Sequence, residues 1–180
     1  MPPISWKTLA SRPIYHNPWM RLREDIAEMP DGKQTLYGVV EVNDAVGVLP
    51  CVDDEHVMMV RQYRYVFGEN QRWEIPTGGV KPGENLEAAA QRELREEIGR
   101  QAGVLEPLNT FYSSKSIMHE IAHLYIGRDL MQVEAIPDET EFLEVATLPF
   151  GEVVAMTLNA EIRDAMSVIA ILLAVRRLGL

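Results

Sequence analysis

The 180-residue chain has a single cysteine, Cys51, so no disulfide can close within it. Set between Val48-Leu49-Pro50 and Val52, that thiol reads as a small buried residue rather than a nucleophile. Long apolar runs are missing too. The longest, Val168 to Val175, falls far short of the roughly 20 residues a membrane-spanning helix needs. The first residues, Met1-Pro2-Pro3-Ile4-Ser5-Trp6-Lys7, lack a basic segment before an apolar one. No signal peptide is therefore expected, and a cytoplasmic setting is the default. Positive charge is scarce: 17 Lys and Arg face 27 Asp and Glu, for a formal net charge of −10. That balance argues against a nucleic-acid or membrane surface as partner. There is no repeat and no low-complexity linker. The length suits one domain with enough core to fold alone.

What the chain does have is concentrated in residues 78–99, GGVKPGENLEAAAQRELREEIG. Asn85 is a natural N-cap and Gly99 a natural C-terminal stop. Between them Leu86, Ala90, Leu94 and Ile98 recur every four residues, which predicts a helix with one apolar stripe. Glu93, Glu96 and Glu97 stand at i, i+3 and i+4, neighbouring positions on a helix surface. Like charges so placed repel by roughly 0.2–0.5 kcal/mol per pair. On a helical wheel Glu93 and Glu97 flank Leu86, so the acidic face borders the buried one. Carboxylates there are costly unless paired or metal-bound. A hard divalent cation with oxygen ligands is the simplest reason to keep all three.

Outside this segment, residues 14–27 and 34–43 read as strands joined around Pro30-Asp31-Gly32. Residues 44–52 and 56–64 read as a strand pair turning at Asp53-Asp54-Glu55. Glu74-Ile75-Pro76 reads as a strand end, and Thr77-Gly78-Gly79 as loop punctuation. Strands near 103–113, 119–129 and 142–147 follow, with helices at about 150–157 and 160–177.

The spacing of Gly78, Glu84, Arg92, Glu93, Leu94, Glu96, Glu97 and Gly99 resembles the signature of the Nudix hydrolases. Only Arg100 departs, where that family prefers an apolar residue. Tyr15 to Lys33, Met59 to Tyr65, Trp73 to Pro76 and Glu161 to Ala165 further resemble the ADP-ribose pyrophosphatase branch, whose members act on nucleoside diphosphate sugars. The resemblance implies an α/β fold: an α/β/α sandwich with a mixed central sheet and an added N-terminal antiparallel sheet. It divides the chain into an extension over 1–45, which in relatives builds a homodimer, and a catalytic domain over 46–180.

The resemblance also implies roles. Glu93 and Glu97 would be core ligands for Mg²⁺, with Mn²⁺ as the alternative. Glu96 would share in binding, and the carbonyl of Thr77 or Gly78 would add a donor. Glu84 would bind metal through water or orient the other ligands, and Arg92 would hold the glutamates by ion pairing. A general base would come from Pro137-Asp138-Glu139-Thr140-Glu141, with Glu141 ahead of Glu139. His119 and His123 are weaker candidates for that role. Arg64 would grip phosphate. Trp19, Tyr15, Tyr37 and Trp73 are candidates to stack on a base. Glu120 would supply a further water or metal contact. One departure concerns the substrate. The branch usually carries Ser-Pro-Gly downstream of the signature, where this chain has Ser114-Lys115-Ser116. Lys115 would then read the sugar or distal phosphate. ADP-ribose leads as expected substrate, with ADP-glucose or GDP-mannose close behind. Rivals are nucleoside triphosphates or dinucleoside polyphosphates and, in another class, a ligand sensor without turnover.

Overall fold

The computed structural model describes residues 4–70, 72–136 and 142–178. In chain order the elements are β1 (Lys7–His16), β2 (Met20–Glu28), β3 (Gln34–Val42), β4 (Ala45–Pro50), β5 (His56–Arg61), β6 (Tyr63–Arg64), β7 (Glu69–Asn70) and β8 (Thr77–Gly79). Helix α1 (Leu86–Ile98) follows, then β9 (Arg100–Tyr112), β10 (Met118–His119), β11 (Ile121–Gln132), β12 (Glu144–Pro149), α2 (Phe150–Leu158) and α3 (Ala165–Leu178). These make two compact units. One comprises the chain up to Asn43 together with Tyr112–Ile121; the other comprises Asp44–Phe111 and the chain from Ala122 onward.

The first unit is a four-stranded sheet in the order β1-β2-β3-β10. Its first three strands are antiparallel, and β10 adds in parallel to β3, pairing Met118 with Val40. The single strand expected over 14–27 is in fact two. Asn17 interrupts it: its side-chain oxygen accepts from the amides of Trp19 at 2.9 Å and Met20 at 2.8 Å, folding the chain into an Asx turn. The next reversal uses Gly32, whose φ of +81° suits a residue without Cβ.

In the second unit the central sheet runs β8-β4-β11-β9. It is mixed: β4 lies parallel to β11 and antiparallel to β8. Residues along β4 alternate between two cores, as strand geometry requires. Val46 and Val48 join Tyr125 and the apolar stripe of α1, including Ala90 and Leu94. Leu49 joins Leu124, Ile126 and the α3 residues Ile171 and Ala174. Helices therefore cover both faces of this sheet, in agreement with the expected sandwich.

Three further expectations need correction. The segments 44–52 and 56–64 turn at Asp53, whose side chain accepts from the amides of Glu55 and His56, but they do not form a ladder. Their pairing is confined to the bridge between Cys51 and Val57, beside which the Val52 amide donates to the His56 carbonyl at 2.9 Å. Instead β5 pairs antiparallel with β12, from Arg61 opposite Glu144 to His56 opposite Pro149. The last helix starts at Ala165, not near 160, because Asp164 caps it. Its carboxylate accepts from the amides of Met166 at 3.1 Å and Ser167 at 2.9 Å. Thr77–Gly79, read as loop, forms the short edge strand β8. No helix among the described residues is long and apolar enough to cross a membrane.

Candidate active site

Helix α1 forms where its caps and stripe place it. Asn85 accepts from the amide of Ala88 at 2.8 Å, a cap worth about 1 kcal/mol. Gly99 ends the helix in the left-handed region, at φ +61°. Because the stripe faces the sheet, Glu93 and Glu97 at its border are drawn in, to 6% and 4% exposure. Two carboxylates this deep need compensation.

Arg92 supplies much of it. Its guanidinium donates to Glu84 Oε1 at 2.9 Å, Glu93 Oε1 at 2.6 Å, Glu96 Oε2 at 2.8 Å and the Gly79 carbonyl at 2.8 Å. One planar fork thus ties the loop before the helix to three acids. The pairing with Glu84 is the largest influence on both partners. It raises the Arg92 pKa further above its usual value and lowers that of Glu84 from 4.5 to about 2. Lys81 approaches Glu96 more loosely, at 3.9 Å. Glu97 instead reaches β8, where its Oε2 accepts from the amide of Thr77 at 3.3 Å. Gly78 is the neighbour that makes room: any Cβ there would collide with the Glu93 carboxylate. Thr77, Gly78, Glu84, Arg92, Glu93, Glu96 and Glu97 are therefore gathered along one side of α1.

The depressed pKa of Glu84 has a consequence for stability. Ionised Glu84 favours the folded state above its unfolded value of 4.5, and that contribution is lost as pH falls toward about 2. Glu84→Gln is expected to shift the urea midpoint downward at neutral pH. The gap from the unmodified protein should close at the bottom of that window. A gap of constant size would show that the Glu84 charge plays no part.

The donor set fits a hard divalent cation in chemistry: carboxylates beside backbone carbonyls, two of them buried, with no sulfur and no imidazole. Among the described residues, no three acidic, His or Cys side chains converge into a ready-made cage. Arg92 accounts for this, since it engages Glu84, Glu93 and Glu96 together. A cation that keeps several of its waters needs only a few of these oxygens.

The other expected residues are more dispersed. Arg64 pairs with Glu74 at 2.6 Å, and Glu74 is 4% exposed. In the sequence this buried acid reads only as a strand end; its signal is an acid inside an apolar stretch, ten residues after an arginine. Trp73 carries Arg61 over its ring at 4.8 Å, so one face of the indole is already covered. His123 lies between the Thr110 hydroxyl, 3.2 Å from Nδ1, and Asp44, 3.7 Å from Nε2. Within the sheet unit, Tyr37 and Lys115 line one cavity of about 340 Å³ with Tyr112 and His119. The Tyr37 hydroxyl donates to the carbonyl of Ser116 at 2.7 Å, fixing the loop that carries Lys115. Trp19 stands 77% exposed on the Asn17 turn, Tyr15 is 51% exposed on β1, and Glu120 is half-buried between β10 and β11. Glu139 and Glu141 lie outside the described residues.

A model of the NUDIX domain matches residues 42–168, and a model of the nucleoside diphosphate sugar hydrolase N-terminal domain matches residues 6–40. The chain belongs to the NUDIX family. It is 32% identical to the ADP-ribose pyrophosphatase of Bacillus subtilis (strain 168), over 95% of this chain and 93% of that protein. It is also 32% identical to the methanol dehydrogenase activator of Bacillus methanolicus, over 92% of this chain and 90% of that one. A crystal structure of an ADP compounds hydrolase superposes with a TM-score of 0.87 over 97% of this chain and 94% of that chain. At 24% identity it establishes the shared NUDIX fold. NUDIX hydrolases generally use divalent metal ions, which agrees with the oxygen donors around α1.

Proposed function

We propose that this NUDIX protein is a Mg²⁺- or Mn²⁺-dependent hydrolase that cleaves the diphosphate of nucleoside diphosphate sugars, with ADP-ribose as leading substrate. One observation carries the reading: buried Glu93 and Glu97 held beside Gly78 and the Arg92 fork. The substrate class is supported by the N-terminal domain match and by the similarity to an ADP-ribose pyrophosphatase over nearly the whole chain.

In the reaction, water adds across one P–O bond of the diphosphate. The leaving phosphate keeps the bond's electron pair, and the water's proton passes to a base. The products are a nucleoside monophosphate and a sugar phosphate. When bound, the divalent ion would neutralise the diphosphate charge and lower the pKa of the attacking water. Glu93 and Glu97 would hold it, assisted by Glu96 and a carbonyl of Thr77 or Gly78. Arg92 and Glu84 orient these ligands. Glu141, with Glu139 as the alternative, would take the proton. Arg64 keeps donors beyond its bond to Glu74 and would meet phosphate.

The molecule would work as a cytoplasmic homodimer through its N-terminal sheet. In support, β1 is an edge strand with Leu9, Ile14 and Tyr15 exposed. The net charge of −10 disfavours nucleic acid and membrane as partners. Lys115 in place of the branch's proline favours a second reading, in which another sugar such as that of GDP-mannose or ADP-glucose is preferred. A panel of nucleotide sugars and nucleoside triphosphates with Mg²⁺, products separated by chromatography, decides between them. Fastest release of AMP from ADP-ribose supports the first reading, and preference for another diphosphate sugar supports the second. Turnover of triphosphates alone, or no turnover at all, rejects both.

A further inference from the structure

Glu74 is a buried acid paired with an arginine, at a place where the chemistry proposed above uses only the arginine. Its backbone is fastened to β5: the amides of Val60 and Glu74 each donate to the other's carbonyl at 2.8 Å. The next residue is held too, since the Ser167 hydroxyl accepts from the amide of Ile75 at 2.9 Å. From this tethered stretch the Glu74 carboxylate, 5% exposed, accepts from Arg64 Nη2 at 2.6 Å. Gln62 adds a second acceptor. With its amide oxygen turned toward the guanidinium, that oxygen stands 3.1 Å from Nη1 and 3.2 Å from Nη2. The Arg64 backbone is fixed as well, its carbonyl accepting from the amides of Phe67 and Gly68 at 3.0 Å. Arg64 is therefore anchored at both ends, while its side chain stays 33% exposed.

Neighbouring arginines are held differently. Arg61 pairs with Glu144 and lies over the Trp73 ring, and Arg72 pairs with Glu161 at 3.2 Å. The side chains of Glu144 and Glu161 are 56% and 44% exposed, and pairs so open to water fix a side chain weakly. Glu74 cannot turn into water, so its hold on Arg64 is directional. Three residues further on, the Thr77 amide meets Glu97, and beyond it the Gly79 carbonyl meets Arg92. Three residues span at most about 11 Å, so the anchor of Arg64 and the acid cluster share one short segment. We propose that Glu74, seconded by Gln62, is a positioning residue that holds Arg64 in one orientation, its unshared N–H groups toward a phosphate bound beside the acids of α1. In taking that ligand to be a diphosphate, the assignment rests on the function proposed above. Charge alone argues the other way, since a carboxylate beside the arginine repels an anion. Orientation outweighs that repulsion, because a planar fork bonds phosphate well only when it is already aimed.

The two effects have opposite signs, and the test reads the sign. The probes are α,β-methylene-ADP and α,β-methylene-GDP, diphosphates that cannot be cleaved at the bridge. The dissociation constant of the tighter one is measured on the full-length protein with Mg²⁺. Binding of neither overturns the proposal. Glu74→Gln removes one negative charge and keeps the side chain's shape, yet it is expected to weaken binding about 10-fold, the scale of one hydrogen bond to a charged group. Tighter or unchanged binding overturns the proposal. On an Arg64→Ala background the same change should shift affinity by less than about 2-fold. An undiminished loss there means that Glu74 does not act through Arg64 and overturns it equally. Gln62→Leu, at a half-buried residue, should weaken binding several-fold. It decides the matter if Glu74→Gln does not fold, and unchanged affinity then overturns the proposal. On any diphosphate sugar that is turned over, Glu74→Gln should raise KM with kcat held within about 3-fold, since the grip is the same in ground and transition states. A fall in kcat at unchanged KM would place Glu74 in the chemical step instead. Probe binding that responds as expected, without hydrolysis of any diphosphate sugar, would sink the proposed function and leave the role of Glu74 standing. Hydrolysis with binding indifferent to Glu74→Gln would do the reverse.

Discussion

Replacing Glu97 by Gln is expected to lower kcat on the best diphosphate sugar by ~10³-fold, about 4 kcal/mol in barrier, with the protein still folded. The substitution keeps shape and removes charge. Glu97 is 4% exposed, and the hydrogen bond it accepts from the Thr77 amide can be made equally by a glutamine oxygen. Packing and the link to β8 should survive. What is lost is an anionic oxygen in the position proposed for the metal, and with it the charge that would hold a hard cation against water. Steady-state kinetics with Mg²⁺ varied, beside a thermal melt, measures both parts. Turnover within a few-fold of the unmodified protein, at an unchanged melting temperature, would remove Glu97 from the ligand set.

The second large effect concerns stability. Arg92→Met should cost about 3 kcal/mol, because it strips the cation from three partly buried carboxylates at once. The Arg92 side chain is 19% exposed, and its partners Glu84, Glu93 and Glu96 are 16%, 8% and 22% exposed. None of them can simply turn into bulk water while α1 keeps its place. Arg92→Lys should recover only part of the loss, since an ammonium cannot span Glu84, Glu93 and the Gly79 carbonyl as a planar fork does. Added Mg²⁺ should narrow the deficit by binding the folded acids. Urea unfolding with and without the ion reads all three. A loss below about 0.5 kcal/mol, the scale of an ordinary surface pair, would show that the fork is dispensable.

The local features of this site were legible because they are written in short spacings. Asn85, the four-residue stripe, the glutamates and Gly99 set the helix, its ends and its acidic border, and each stands where its residue type dictates. The turn at Asp53 was legible for the same reason. Strand partners were not. Nothing near residues 56–61 announces that their ladder is with Glu144–Pro149 rather than with β4, since both candidates are apolar and only the tertiary fold chooses. Asn17 was readable as a turn former, yet the apolar and aromatic residues around it masked the break. Burial of single acids was the least visible. Glu74 and Asp25 sit in stretches that read as ordinary strand, and their neighbours Arg64 and Tyr37 arrive from 10 and 12 residues away.

The fourth strand of the N-terminal sheet, β10, is made of residues 118–119, whereas the strand it joins ends at Val42. A growing chain therefore finishes β3 long before its parallel neighbour exists. At 5–20 residues per second the interval is roughly 4–15 s, during which the open side of β3 has no native strand beside it. Gln34 and Glu41 on that strand bracket its apolar middle, Leu36 to Val40, with polar groups. Such groups discourage another nascent chain from pairing there before synthesis reaches Met118.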